Sequence, residues 1–337
     1  MNRRCVAMEY PDPEEILKMA RGFMGARILL TGAELNLFTL LQNRSMTAQE
    51  IAEQSDMALR PLGILLDALT ALALLQKEEG LYHCTPPVSR FLAEDAPDSV
   101  LPMVLHMAHL WHRWAGLTNM VQGVSAIHDQ DSDAKSEAEL RAFIGAMHVV
   151  GKNQAEEIVA GIKPTNARNL LDVGGASGTY IIAFLRAVPE MKATLFDQPA
   201  IMEMARERLS HEGLLARVTL IPGDFYRDDL PAGHDLAFIS AIIHQNNPAQ
   251  NLDLYRNVFR ALVPGGRVVI RDHIMEANRT EPPEGAVFAV NMLVATDGGA
   301  TYTFDEIRRG LEQAGFQRIS LLRRGKHMDS LVEAFKP

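Results

Sequence analysis

His244 in "IIHQNNP" and Asp272 in "VVIRDHIM", 28 positions apart, form a pair suited to proton chemistry. Histidine titrates nearest neutral pH. A carboxylate on one ring nitrogen fixes its tautomer and stabilises the imidazolium formed when the other nitrogen takes a proton. A second set of residues suits a ligand. "LLDVGGASGTY" at 170–180 reads as an apolar strand, a glycine turn and a helix start. The spacing of Gly174, Ala176 and Gly178 departs from the G-x-G-x-x-G dinucleotide fingerprint, and Thr179 and Tyr180 stand where a phosphate loop needs lysine and a hydroxyl. Such a turn suits a nucleoside without phosphate. Asp172, Asp197 and Asp224 close three successive apolar runs. Asp197 can accept both hydroxyls of a ribose, and Asp224 beside Phe225 joins an acceptor for an amino nitrogen to an apolar ring, which suits adenine. One aspartate at a strand end is equally an ordinary terminator; three in succession beside a glycine turn point to a ligand.

These side chains need a sheet to hold them. From about residue 168 apolar runs alternate with helical periodicity, with strands expected at 169–174, 192–197, 218–224, 235–243 and 266–274. His244 then ends the fourth strand and Asp272 the neighbouring fifth. "RISLLRRG" and "MDSLVEAF" follow each other too closely for a crossover helix, so they should pair antiparallel. The expected class is α/β, a mostly parallel sheet with one antiparallel strand, whose ligands lie beyond the carboxyl ends of the strands. The first 110 or so residues read as mainly helical, with a break near Thr31-Gly32, a capping box from Thr47 to Glu50, and a short hairpin after "RPLGILLDALTALALL". That order is the order of a winged helix. The expected domains are 1–110, winged-helix-like; 111–167, a helical connector and pocket wall; and 168–337, the ligand-binding sheet.

Composition excludes several classes. The 337 residues are 47% hydrophobic and 22% charged, as in ordinary soluble proteins, with a net charge of −9. The first 110 residues carry 9 Lys and Arg against 14 Asp and Glu, a net −5, which argues against nucleic acid despite the winged-helix order. No run reaches membrane-spanning length, and the start, "MNRRCVAMEYPDPEE", lacks the apolar stretch of a signal peptide. Cys5 and Cys84 are too few for a disulfide framework or a cysteine metal site, so a cytoplasmic setting with no metal is expected. "GARILLTGAELNLFTLL" is more apolar than one exposed helix face should be, which points to self-association.

"LLDVGGASG", "LFDQP", "IPGDFY", "IIHQNNP", "LVPGGRVVIRDHIM" and "FIGAMH" together resemble the small-molecule O-methyltransferases of the plant caffeate and animal hydroxyindole type. The resemblance covers nearly the whole chain. It implies a Rossmann-like sheet, an N-terminal winged-helix-like dimerisation domain, a homodimer, and S-adenosylmethionine as cofactor. It places Gly174 and the neighbouring backbone at the methionine part, Asp197 at the ribose, and Asp224 with Phe225 at the adenine, with Asp172, Gly175, Ser177, Gln198, Gly223 and Ser240 also expected in the cofactor site. His244 falls on the family's catalytic histidine and Asp272 on its first acidic partner. The implied acceptor is a small aromatic hydroxyl compound. The apolar and aromatic stretches "HMAHLWHRW", "FIGAMH" and "FAVNMLV" are its expected walls, with Trp111 an expected substrate-binding residue, and the resemblance puts Met147 and Met292 on substrate-clamping positions. The chain departs from the pattern in reading His244-Gln245-Asn246 for His-Asp-Trp, and in placing Thr301 where plant enzymes carry a second acid. Methylation of carbon, another activity on the same scaffold, and a ligand-sensing regulator remain alternatives.

Overall fold

In the computed structural model, residues 10–124 and 137–337 are described. Cys5, and residues 125–136 of the expected connector, lie outside them. The chain divides into two compact units, Met1–His109 and Leu110–Pro337.

In the first unit, α1 (Pro13–Glu34) starts behind an Asp12–Glu15 capping box, followed by α2 (Leu37–Leu40) and β1 (Met46–Thr47). α3 (Ala48–Ser55) opens on the expected box, Thr47 accepting from the Glu50 N–H while Glu50 reaches back to Thr47. α4 (Leu59–Ala71) leads into β2 (Gln76–Glu78) and β3 (Leu81–His83), which form the wing with β1 in the order β1-β3-β2. α5 (Pro86–Leu92) completes the set, and α6 (Leu101–Ala115) begins here. The helix break expected at Thr31-Gly32 falls instead at Leu35-Asn36, where Asn36 takes φ +53°. Gly32 serves packing: a Cβ on it would sit 3.1 Å from Phe38 and 3.2 Å from Leu69, both fully buried. Ile16, Leu17, Met19, Phe23 and Met24 on α1 are half or more exposed.

The second unit continues through α7 (Leu117–Val121) and α8 (Glu137–Ile162) to alternating strands and helices: β4 (Asn169–Val173), α9 (Thr179–Ala187), β5 (Lys192–Asp197), α10 (Met202–His211), β6 (Val218–Pro222), β7 (His234–Ser240), α11 (Pro248–Ala261) and β8 (Leu262–Asp272). β9 (Ile274–Met275), α12 (Pro283–Ala295), β10 (Tyr302–Thr303), α13 (Phe304–Gln313), β11 (Gln317–Arg323) and β12 (Ser330–Phe335) follow. The seven-stranded sheet has the order β11-β12-β8-β7-β4-β5-β6. β12 is antiparallel to both neighbours, as expected from the closely spaced final strands, and the pairs from β8 to β6 are parallel. Alternation along the strands divides the core in two. Leu171, Ile239 and Ile270 face α11 and α13, and Leu170, Phe238 and Val269 face α8 and α9.

Four strand ends differ from expectation, the first being β4, which stops at Val173, one residue short of the expected 174. β6 stops at Pro222, leaving Gly223 and Asp224 in the following turn. β7 stops at Ser240 because Ala241 turns to φ +58°, so His244 lies in a single 3-10 turn, Ile243–Gln245, beyond the strand. β8 ends at Asp272, and Ile274 leaves it to pair with Tyr302.

Phe238 is fully buried, with ring centroids 5.0 Å from Tyr180 and 5.3 Å from Phe184. Phe238→Ala should cost about 3–5 kcal/mol in urea denaturation. A loss below about 1 kcal/mol would mean that the core closes over the gap.

Candidate active site

The glycine turn after β4 is left-handed at three positions, Gly174 (φ +69°), Ala176 (φ +49°) and Gly178 (φ +81°). Alanine there costs about 1–2 kcal/mol of backbone strain. Asp197 at the end of β5 offsets it: Oδ2 accepts the Ala176 N–H at 2.8 Å, while Oδ1 accepts the Gln198 N–H at 2.7 Å. A carboxylate has about four lone-pair positions, so Asp197 keeps acceptor capacity for a further donor.

The turn is also tight. A Cβ on Gly174 would lie 2.7 Å from Ile242 and 3.5 Å from Phe225, and one on Gly175 would lie 2.6 Å from Asp172 Oδ2. Asp172 is the penultimate residue of β4, one short of the end the sequence suggested, and is 2% exposed. Its Oδ2 and the Ser177 hydroxyl have no hydrogen-bond partner among the described residues. Burial, then the nearby Asp197 charge, push the Asp172 carboxyl up to about 8, and burial likewise raises Asp197. A site of tightly turned backbone, a buried acid pair and unmatched polar atoms fits a ligand that brings hydrogen-bond donors and positive charge. S-adenosylmethionine is such a molecule.

Asp224 lies in the turn after β6, its side chain over a third exposed, accepting the Tyr226 N–H at 3.0 Å with Arg227 3.5 Å away. A Cβ on Gly223 would collide with Phe196 at 2.3 Å, so only glycine brings this turn so close to β5.

His244 and Asp272 meet as expected. His244 Nδ1 lies 2.9 Å from Asp272 Oδ1 and 3.0 Å from Oδ2, both residues being buried. With Nδ1 committed, Nε2 is the nitrogen that can take a proton. Asp272 Oδ1 also accepts the His273 N–H at 2.8 Å, and the His244 carbonyl accepts the Ala300 N–H at 2.9 Å. The departures from the family pattern resolve structurally. Gln245 is exposed and bonds back to the Ala241 carbonyl. Asn246 is fully buried, accepting the Tyr226 hydroxyl and donating to Asn251, while its carbonyl accepts the Tyr302 hydroxyl. Thr301 is buried in the strap whose Ala300 bonds His244.

Met292 is buried on α12, one turn beyond Phe288, whose ring meets His244 edge-on at 4.9 Å. Trp111 lies on α6, partly buried; three residues on, Trp114 donates from Nε1 to Asn291 on α12 at 3.0 Å. Met147 is partly buried on α8, beside Ile144, which packs with Ala176 of the turn through their shared cluster, and His148, which bonds Thr179 at 2.8 Å. Met147 therefore sits by neighbours of the turn, whereas Met292 sits by neighbours of His244. At the end of β8, two buried polar residues that flank Asp272 escape the sequence analysis, Arg271 and His273. The available signal was "RDH", charged and polar residues closing an apolar strand.

Residues 115–317 match the O-methyltransferase domain family, and residues 17–95 the O-methyltransferase dimerisation domain. The tetracenomycin polyketide synthesis 8-O-methyl transferase of Streptomyces glaucescens is 31% identical, over 91% of this chain and 92% of that one. The 3-hydroxy-5-methyl-1-naphthoate 3-O-methyltransferase of Streptomyces sahachiroi is 28% identical, over 92% and 91%. The solved structure of PigF with SAH superimposes with a TM-score of 0.83 at 26% identity, covering 97% of this chain and all (100%) of that one. Among the described residues, no helix is long and apolar enough to cross a membrane.

Asp172 gives the fold a pH signature. The unfolded carboxyl ionises near ~4 and the folded one near 8, so between these values the folded state holds a proton that the unfolded state has lost. Stability contributed by this group therefore falls as pH rises through that window. His148, pushed down to about 4 by burial and then by Arg208 and Lys152, acts in the opposite sense from about pH 4 to about 6.5. The test is consequently a difference: the melting temperature of Asp172→Asn minus that of wild type should grow between about pH 5 and about pH 8. A constant difference would show that Asp172 is ionised in the fold throughout.

Proposed function

The chain belongs to the O-methyltransferase family, and from that premise we propose the reaction in residue terms: an S-adenosylmethionine-dependent O-methyltransferase in which His244 takes the proton of a small aromatic hydroxyl acceptor. The observation that carries this is the buried His244–Asp272 pair at the same strand edge as the glycine turn. Bound at that edge, S-adenosylmethionine supplies an electrophilic methyl group on a sulfonium. The Gly174–Gly178 turn would hold its methionine end, Asp197 and Gln198 its ribose, and Gly223, Asp224 and Phe225 its adenine.

His244 Nε2 receives the hydroxyl proton, leaving the acceptor oxygen as the nucleophile. Asp272, on Nδ1, fixes the tautomer in which Nε2 is basic and balances the imidazolium. The Ala300 N–H on the His244 carbonyl and the buried Asn246 anchor the backbone of the turn that aims the ring. The proposed acceptor class rests on Phe288 and Met292 beside His244, with Trp111 and Met147 as further walls, and on relatives whose names specify a naphthoate and tetracenomycin. The exposed apolar residues of α1, within the match to the dimerisation domain, support a homodimer through the first unit. A cytoplasmic enzyme accords with two cysteines in 337 residues.

His244→Ala should lower kcat by roughly 10²–10⁴ while leaving calorimetric affinity for S-adenosylhomocysteine nearly unchanged. Its rate on a phenolic acceptor should recover at high pH, where the acceptor ionises unaided. Asp272→Asn should lose less. A His244→Ala enzyme that matches wild type at neutral pH, with an acceptor of high pKa, would remove His244 from the base role. Light scattering of the intact chain at micromolar concentration should give the mass of two chains, and the mass of one would refute the dimer.

A further inference from the structure

Strand alternation brings a polar cluster onto the face of the sheet opposite His244. Leu170, Phe238 and Val269 face α9, so Asp172, Ser240 and Arg271, each two residues further along β4, β7 and β8, face the same way. These three strands are adjacent, and Ser240 pairs in register with Arg271. Arg271 donates to the Ser240 hydroxyl at 3.1 Å, and its guanidinium lies 5.3 Å from the ring centroid of Tyr180, the second residue of α9. It is 8% exposed, and its Nε has no hydrogen-bond partner among the described residues. No ion pair to Arg271 occurs among those residues either. Asp329, the acid just before β12, is already bonded to Arg323 at 2.7 Å.

A guanidinium cannot shed its charge, and burying a cation without a counter-charge costs several kcal/mol. A neutral hydroxyl and the face of one ring offset only part of that. The cluster calls for an anion, and its place in the sheet says which. Along the carboxyl edge the order is the Asp224–Phe225 turn after β6, Asp197 on β5, the glycine turn after β4, then Ser240 on β7 and Arg271 on β8. A molecule lying with adenine at the first and ribose at the second has its amino-acid end at the glycine turn, pointing toward Arg271. Resting on the cofactor reading above, we propose that Arg271, positioned by Ser240 and Tyr180, binds the α-carboxylate at the methionine end of S-adenosylmethionine.

The assignment separates two probes. S-adenosylhomocysteine carries the carboxylate; 5′-methylthioadenosine shares the nucleoside and sulfur but lacks the amino-acid end. By calorimetry on the intact protein, Arg271→Met should weaken S-adenosylhomocysteine about 10- to 100-fold, the range for a hydrogen-bonded charge, and leave 5′-methylthioadenosine unchanged. Arg271→Lys, which keeps the charge but loses the fork, should fall between, and thermal melting checks that both variants fold. Equal losses for the two probes would overturn the assignment, since Arg271 would then only support the turn. So would unchanged S-adenosylhomocysteine binding, including the case in which Arg271→Met raises KM solely for acceptors that carry a carboxylate. Wild-type protein that binds neither probe would overturn the cofactor reading together with this inference.

Discussion

The site depends on one carboxylate that holds an alanine in a conformation alanine avoids. Asp197 reaches from β5 to the Ala176 N–H and so fixes the turn that leaves β4. With Ala176 left-handed between Gly174 and Gly178, the backbone passes close over Asp172, leaving no room for a Cβ on Gly175. That closeness buries Asp172, and the same Asp197 charge helps to keep its proton on. A single side chain thus shapes the turn, influences the charge beneath it, and still keeps acceptor positions free.

His244 is placed by a different device. β7 ends early because Ala241 turns left-handed, and its N–H bonds the Arg271 carbonyl on β8. Releasing the chain there lets His244 swing back onto Asp272, which a continued strand would not allow. Where related enzymes carry an aromatic residue two positions on, this chain has Asn246, and the turn is held by hydrogen bonds to Tyr226, Asn251 and Tyr302. Such a buried polar network rigidifies only when every member is satisfied. Asn251 closes it by donating to the Ile243 carbonyl at 2.9 Å.

Much of this was legible in the sequence, for reasons that differ by residue. The strands of the sheet are runs of buried apolar residues, and β5 came out to the residue because Asp197 ends it at a turn. β6 and β7 were read two and three residues too long, since "IPGD" and "ISAII" remain apolar or small past the point where the backbone turns away. Pattern registers hydrophobicity and not φ. His244 and Asp272 could be paired because adjacent strands bring their ends together. Arg271 is not legible in the sequence because its place on one face of the sheet follows only from where β8 ends and which way Asp272 points. Gly32 suggests a helix break for the complementary reason: a buried glycine and a terminating glycine look alike in one dimension.

The outward side of α1 carries Ile16, Leu17, Met19, Phe23 and Met24 in the open. An isolated chain gains from only part of their surface on folding, as half or more of each residue still meets water. Whatever covers them adds its free energy only to the folded form, in proportion to the logarithm of its concentration, about 2.7 kcal/mol at a hundredfold excess over Kd. If the cover is another copy of the chain, dilution alone weakens the fold, and the amount of protein becomes a variable of its stability.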